Sequence, residues 1–199
     1  MQPGSAQAAL MARARRMVWA VHQLDRQTTG VNVFVRRKAL VPVWSDALRA
    51  GTKTYLVWCH GHVPQQRVEI REPLGWRKEL GRHGVRADGK PAHTSARRVA
   101  HSRHGSLLEV SIHTGRTHQI RAHLSHLGHP IWGDTRYGST APEDSPMALH
   151  AWRLDCGELG VFWAPCPEPW DQWFRRFEGL SPQWVREAMA PKSAALSSQ

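Results

Sequence analysis

Residues Leu107 to Ile112 read as a strand, and Gly115 separates them from a helical pattern that starts at about Thr117. In that helix the Thr117 hydroxyl supplies a cap, and Ile120, Leu124 and Leu127 fall on one stripe suited to burial. Gly128 stops it before Pro130. A strand that feeds a helix this directly commits the chain to a sheet with helices packed on it. His118, Arg121 and Ser125 share another helix face, so Arg121, one turn in, reaches out of the core toward an acid on a neighbouring element.

The remaining segments fit the same class. An apolar run from Met17 to Val21 leads into His22-Gln23-Leu24-Asp25-Arg26-Gln27-Thr28-Thr29-Gly30, which is followed by alternation at Val31, Val33 and Val35. By itself Asp25 reads as a turn residue. Ala39 to Ala50 carries Leu40, Val43, Trp44, Ala47 and Leu48 at helical spacing, with Pro42 in the first turn and Gly51 as the stop. Lys53 to Gly61 alternates as a strand, with Tyr55, Val57 and Cys59 on one face and Thr54, Leu56 and Trp58 on the other. Gly81 to His104 is basic and Gly-rich and reads either as a solvated loop or as a phosphate-contacting surface that includes Arg97 and Arg98. Gly128 to Gly138 reads as an ordered loop and Thr140 to Ser145 as an exposed turn. Strands are predicted at Ala148 to Leu154 and Gly160 to Ala164, and helices at Trp170 to Phe177 and Ser181 to Ala190. These readings divide the chain into a basic arm (1–16), one domain (17–190) and a tail (191–199).

The charge balance adds a partner class. Lys and Arg number 27 against 16 Asp and Glu, a formal charge of +11, which attracts polyanions because phosphate contacts release condensed counterions. No apolar run supports a membrane span, and the first 20 residues lack a secretion signal. The three cysteines are widely spaced and form no Cys-x-x-Cys pair, which fits a reducing cytoplasm. A monomer is expected.

Common catalytic anchors are absent: there is no Gly-rich phosphate loop, no His-Glu-x-x-His and no Ser nucleophile elbow. Thirteen histidines, with His118, His123, His126 and His129 in one stretch, raise a metalloenzyme reading. Only His123 and His126 form a close helical pair, and no Cys or acid stands at ligand spacing beside them, so packing and RNA contacts are the default.

Taken together, three stretches resemble the RluA-like family of pseudouridine synthases. His22 to Gly30 is similar to that family's His-Arg-Leu-Asp-x-x-Thr-Ser-Gly motif, and Lys53-Thr-Tyr55 to its Lys-x-Tyr motif. Gly115-Arg116-Thr117-His118-Gln119-Ile120-Arg121-Ala-His-Leu, through Gly133-Asp134 and Tyr137-Gly138, resembles its longest signature. Leu149-His150-Ala151 and Ala164-Pro165 fit its closing strands, so the likeness runs from about residue 17 to 175.

The resemblance implies an α+β fold with a mixed, mainly antiparallel sheet and a catalytic cleft between two lobes. It also implies isomerisation of uridine to pseudouridine in ribosomal or transfer RNA without cofactor or metal. Asp25 is then the nucleophile, Tyr55 stacks on the uracil and helps remove the C5 proton, and Arg121 pairs with Asp25. A guanidinium beside a carboxylate favours its ionised, oriented form. Gln23, Leu24, Arg26, Arg116, His118 and Ile120 flank these residues and, with Arg97 and Arg98, make up the expected substrate-contacting set. Two departures support a second reading, an inactive RNA-binding relative. Gln23 stands where the family has Arg, a residue associated with filling the space of a flipped base, and residues 1 to 21 contain no Lys-Pro-x-Gly segment. No S4-type module is recognised either.

Overall fold

The computed structural model describes residues 6–178, 180, 181 and 183. In chain order these form α1 (Ala6–Ala14), β1 (Trp19–Ala20), β2 (Thr29–Gly30), β3 (Phe34–Val35), α2 (Val41–Ala50), β4 (Thr52–His60), β5 (Arg67–Ile70), β6 (Leu74–Arg77), β7 (Arg82–Val85), β8 (Thr94–Ser102), β9 (Gly105–Ile112), α3 (Gln119–His126), β10 (Leu149–Asp155), β11 (Val161–Trp163) and α4 (Pro169–Phe174). The main sheet runs β11-β10-β4-β9-β8-β5, antiparallel throughout, and β2 joins β10 in parallel. Two small ribbons, β1 with β3 and β6 with β7, stand outside it. This is the mixed, mainly antiparallel α+β sheet expected.

β4 is the axis of the sheet. Both of its faces are covered, with Leu56, Val57, Trp58 and Cys59 fully buried, because it lies between β10 and β9 and carries packed layers above and below. Trp58 stacks on Trp132 with ring centroids 4.1 Å apart and planes 4° from parallel, and Trp173 and Phe177 close around it at 5.5 Å. Leu48 of α2 forms a second cluster with Leu154 and Cys156, and Trp44 meets Phe162 at 5.6 Å.

Several sequence expectations need correction. The basic segment from Gly81 to His104 is mostly sheet: β7 pairs with β6, and the nine residues of β8 are held between β5 and β9. Small residues explain it, since Thr94, Ala96, Ala100 and Ser102 turn inward and leave the long basic side chains outside. Leu40 and Val43 are exposed, so the buried stripe of α2 narrows to Leu48 with Trp44 and Ala47 beside it. Val31 to Val35 is one extended stretch but not one strand. Val31 N–H donates to Ala151 O, Val33 N–H to His22, and Val33 O accepts from Val21, so bonding partners change along it. α4 ends at Phe174, short of Phe177. The helix predicted at Ser181 to Ala190 and the tail after it lie outside the described residues, apart from Ser181 and Gln183.

α3 starts at Gln119 rather than Thr117, and no side chain caps it through its N-cap residue. The N-cap is His118, in the left-handed region at φ 55° and ψ 28°, which breaks the helical path one residue later than a Thr117 cap requires. Leu127 is 40% exposed and leaves the predicted stripe, whereas Gly128, at φ 82°, ends the helix as expected.

Candidate active site

Asp25 lies in a loop held at both ends. Its carbonyl accepts from Thr28 N–H at 2.9 Å, closing the turn, and the next two residues form β2 against His150 and Ala151 of β10. Gly30 makes this docking possible. At φ 114° it adopts a conformation that side-chain-bearing residues avoid, and a Cβ there would stand 2.2 Å from Ala151 O. Because Ala151 is also the partner of Tyr55 across β10 and β4, the same register sets Asp25 over the Tyr55 strand.

α3 approaches from the other side. Gln119 locks its start: Oε1 accepts from Arg116 N–H at 3.0 Å and from the Thr114 hydroxyl at 2.7 Å, while Nε2 donates to His93 O and to Thr94 Oγ1. All four capacities of that buried amide are met, so the turn before α3 is rigid. Arg121 then points at both acids. Nε and Nη2 bind the two oxygens of Asp134 at 2.7 and 2.9 Å, and Nη1 reaches Asp25 Oδ2 at 3.2 Å. Its guanidinium also lies 4.8 Å from the centre of the Tyr137 ring. Burial pulls the Arg121 pKa down, but the hydrogen bonds and charge of Asp134, then of Asp25, outweigh it and the net shift is upward.

Together these groups surround a cavity of about 400 Å³, lined among others by Gln23, Asp25, Lys53, Tyr55, His118 and Arg121. That size suits one nucleoside-sized ligand. Tyr55 is buried in its wall, and desolvation, followed by the charge of Asp25, pushes its pKa up to about 12, so it is a neutral phenol at neutral pH. Lys53, two residues away on the same strand face, has its pKa lowered, chiefly by burial. His22 turns inward to accept Val33 N–H through Nε2 at 3.1 Å, and burial with the nearby Lys53 charge lowers its pKa to about 4. A second cavity, of about 1010 Å³, opens between α1 and the other side of the same loop, with Gln7, Gln23, Asp25, Arg26, Asn32 and Phe34 on its walls.

Asp25, Tyr55, Arg121, Gln23, Leu24, Arg116, His118 and Ile120 therefore converge on one cleft, and Arg26 lines the adjoining one. Arg97 and Arg98 do not. Arg97 pairs with Glu109 across β8 and β9 at 2.9 Å, and Arg98 bonds to His62 and to the carbonyls of Val63 and Pro64. The histidine run is dispersed as well: His123 bonds Thr94 and Glu72 O, and His129 bonds His60 O. Three residues without an assigned role in the sequence matter here, namely Gln119, Asp134 and Tyr137. The sequence places Asp134 and Tyr137 in the resembling signature without a role for either, and Asp134 directly follows Gly133, whose φ of 79° and close approach to Pro146 O tightly constrain the backbone.

The sequence profile described as RNA pseudouridylate synthase matches residues 6–126. An uncharacterized RNA pseudouridine synthase of Bacillus subtilis, YjbO, is 33% identical over 162 residues, covering 77% of this chain and 57% of that protein. The ribosomal large subunit pseudouridine synthase D of Nitrosomonas europaea is 34% identical over 167 residues, covering 74% and 48%. The solved human RNA pseudouridylate synthase domain containing 1 superposes with a TM-score of 0.76 at 28% identity, over 95% of this chain and 87% of that one. The chain spans about half the length of the curated relatives it matches. With the profile covering more than half of the chain, and with the Asp25 loop, Tyr55 strand and Arg121 helix meeting in one cleft, this chain belongs to the RNA pseudouridylate synthase family, in its RluA-like branch.

Proposed function

We propose that this chain isomerises uridine to pseudouridine in RNA, with ribosomal RNA as the favoured substrate and Asp25 as the nucleophile. The observation that carries the reading is the Asp25 carboxylate held 3.2 Å from a buried arginine, over a tyrosine, in a cavity the size of a nucleoside. The N1–C1′ bond breaks, the C5–C1′ bond forms, N1 takes a proton and C5 loses one, so no water or redox partner is consumed. A lone carboxylate suits this chemistry, whereas hydrolysis of a glycosidic bond calls for a second acid to handle water. Arg121 orients Asp25, the Tyr55 ring offers a stacking face, and Leu24 and Ile120 line the cleft and limit water. Tyr55 is uncharged at rest, so it serves the C5 proton only by passing its own proton on as it accepts one. The ribosomal preference rests on relatives whose names specify the large subunit. Transfer RNA is the alternative substrate.

Incubating the purified chain with ribosomal and transfer RNA that lack the modification, then mapping pseudouridine, names the position. Asp25→Asn is expected to abolish the product while leaving RNA affinity within about threefold, because phosphate contacts are made elsewhere. RNA binding without any product from the wild-type chain would replace this reading with the inactive relative that Gln23 suggests.

A further inference from the structure

We infer that the bare Nε2 of His118 accepts a hydrogen bond from the ribose 2′-hydroxyl of the bound uridine, making His118 the residue that reads ribose in this cleft. This deepens the function proposed above and rests on it.

One proton fixes the tautomer of His118. Tyr137 donates its hydroxyl hydrogen to His83 O at 2.9 Å, and a carbonyl has none to give back. The Tyr137 oxygen also meets His118 Nδ1 at 3.0 Å, so the hydrogen in that contact comes from the imidazole. Burial, opposed by the charge of Asp25 and reinforced by Arg121, Arg136 and His83, lowers the His118 pKa, and the ring is neutral at neutral pH. A neutral ring protonated at Nδ1 carries a lone pair at Nε2.

That lone pair faces the cavity and stands 3.8 Å from Asp25 Oδ1, too far for a hydrogen bond between them. Two acceptors therefore face each other across a gap that a ligand's O–H or N–H can fill. The ring is held in place by the left-handed backbone of His118, at φ 55°, and by Tyr137, itself buried. In a uridine whose C1′ lies at Asp25, the nearest donor is the hydroxyl on the adjacent C2′. The other donor, N3–H, sits on the far side of the base from the glycosidic nitrogen. A 2′-hydroxyl reader also has a clear use, since that group distinguishes RNA from DNA.

The full chain, labelled with ¹⁵N in its histidines, is titrated with uridine 5′-monophosphate and with 2′-deoxyuridine 5′-monophosphate. The free ring is expected to show Nδ1 protonated and Nε2 bare. The ribonucleotide should move the Nε2 resonance in the direction of hydrogen bonding and bind about three- to tenfold more tightly than the deoxynucleotide, the range for one net hydrogen bond. His118→Asn, which tolerates the left-handed backbone but lacks Nε2, should bind the two within about twofold. Tyr137→Phe keeps the packed ring but releases the tautomer, so it should mix the two ring forms and weaken the preference. A free ring protonated at Nε2, an unmoved Nε2 resonance, or a preference that survives His118→Asn each overturns the inference. An equal loss for both nucleotides in His118→Asn assigns the contact to N3–H instead and overturns it too. A ribose preference with no pseudouridine formed on any RNA leaves this inference standing and rejects the isomerase reading alone.

Discussion

Arg121 gives its bidentate edge to Asp134, at 2.7 and 2.9 Å, and reaches Asp25 through Nη1 alone. Asp134 is 1% exposed and Asp25 26%, so the first acid is a buried anchor and the second is available to a substrate. Asp134→Asn turns one acceptor of a buried guanidinium into a donor, and removal of a buried charge partner costs about 3 to 5 kcal/mol. The variant should melt roughly 6 to 20 °C lower, at about 2 to 4 °C per kcal/mol for a chain of this size, and lose activity. Asp25→Asn should melt close to wild type. Thermal denaturation of the pair checks this, and equal melting of the two variants would refute the division of roles.

Tyr55→Phe keeps the ring and removes the hydroxyl. Turnover is expected to fall about 100-fold, at the low end for a proton-transfer group, with RNA affinity unchanged. Weakened binding at full turnover would show that the hydroxyl only holds substrate. The folded-state pKa of about 12 lies above the ordinary 10, so the folded protein holds this proton more tightly than the unfolded chain does. The resulting stability is complete below pH 10 and is lost as pH rises toward 12. In Tyr55→Phe, alkaline unfolding over that window should be shallower.

Gln23 is exposed at the junction of the two cavities, where it offers no planar cation. Gln23→Arg is expected to raise turnover on structured RNA several-fold more than on an unstructured oligonucleotide, because a stacked guanidinium can occupy the place of an extruded base. Comparable gains on both substrates would remove extrusion from the explanation.

His22 supplies an acid-sensitive joint. Its folded pKa of about 4 lies below the ordinary 6.5, so protonation favours the unfolded chain. The stability it contributes is present above pH 6.5 and is lost as pH falls toward 4. His22→Gln retains an acceptor for Val33 N–H and cannot titrate, so its melting temperature should drop less steeply between pH 6.5 and 4. His123 and His150, whose pKa values burial also lowers, leave a residual slope in both proteins. Parallel slopes would show that His22 does not govern the joint.

Much of the fold and the triad of Asp25, Tyr55 and Arg121 is legible in the chain, but through different routes. β4 is visible because Tyr55 to Cys59 is a continuous apolar run, and β9 because Leu108, Val110 and Ile112 alternate with Glu109 and Ser111. β8 is hidden because Arg97 and Arg98 dominate its composition, while the facts that make it a strand are inward Ala96 and Ala100 and the pairing of Arg97 with Glu109, which depends on register. Asp25 and Arg121 are 96 positions apart, and no local periodicity connects them; the family resemblance carried that pairing. Gln119 and Asp134 escaped assignment because a polar residue near a helix start, or on a Gly- and Pro-rich loop, ordinarily reads as solvated. Their burial and their hydrogen bonds in the folded chain reveal their roles.

The stacked indoles of Trp58 and Trp132 give this chain an optical signal of its own. Trp58 belongs to the central strand and Trp132 stands two residues before Asp134, so the 4.1 Å stack couples the sheet to the loop that anchors Arg121. Two indoles at that separation share their electronic excitation, and the near-ultraviolet circular dichroism of such a pair depends on their mutual angle. The contribution of this stack therefore reports the seating of the Asp134 loop in unlabelled protein, and phenylalanine at Trp132 removes it while the Trp152–Trp163 and Trp170–Trp173 pairs keep theirs.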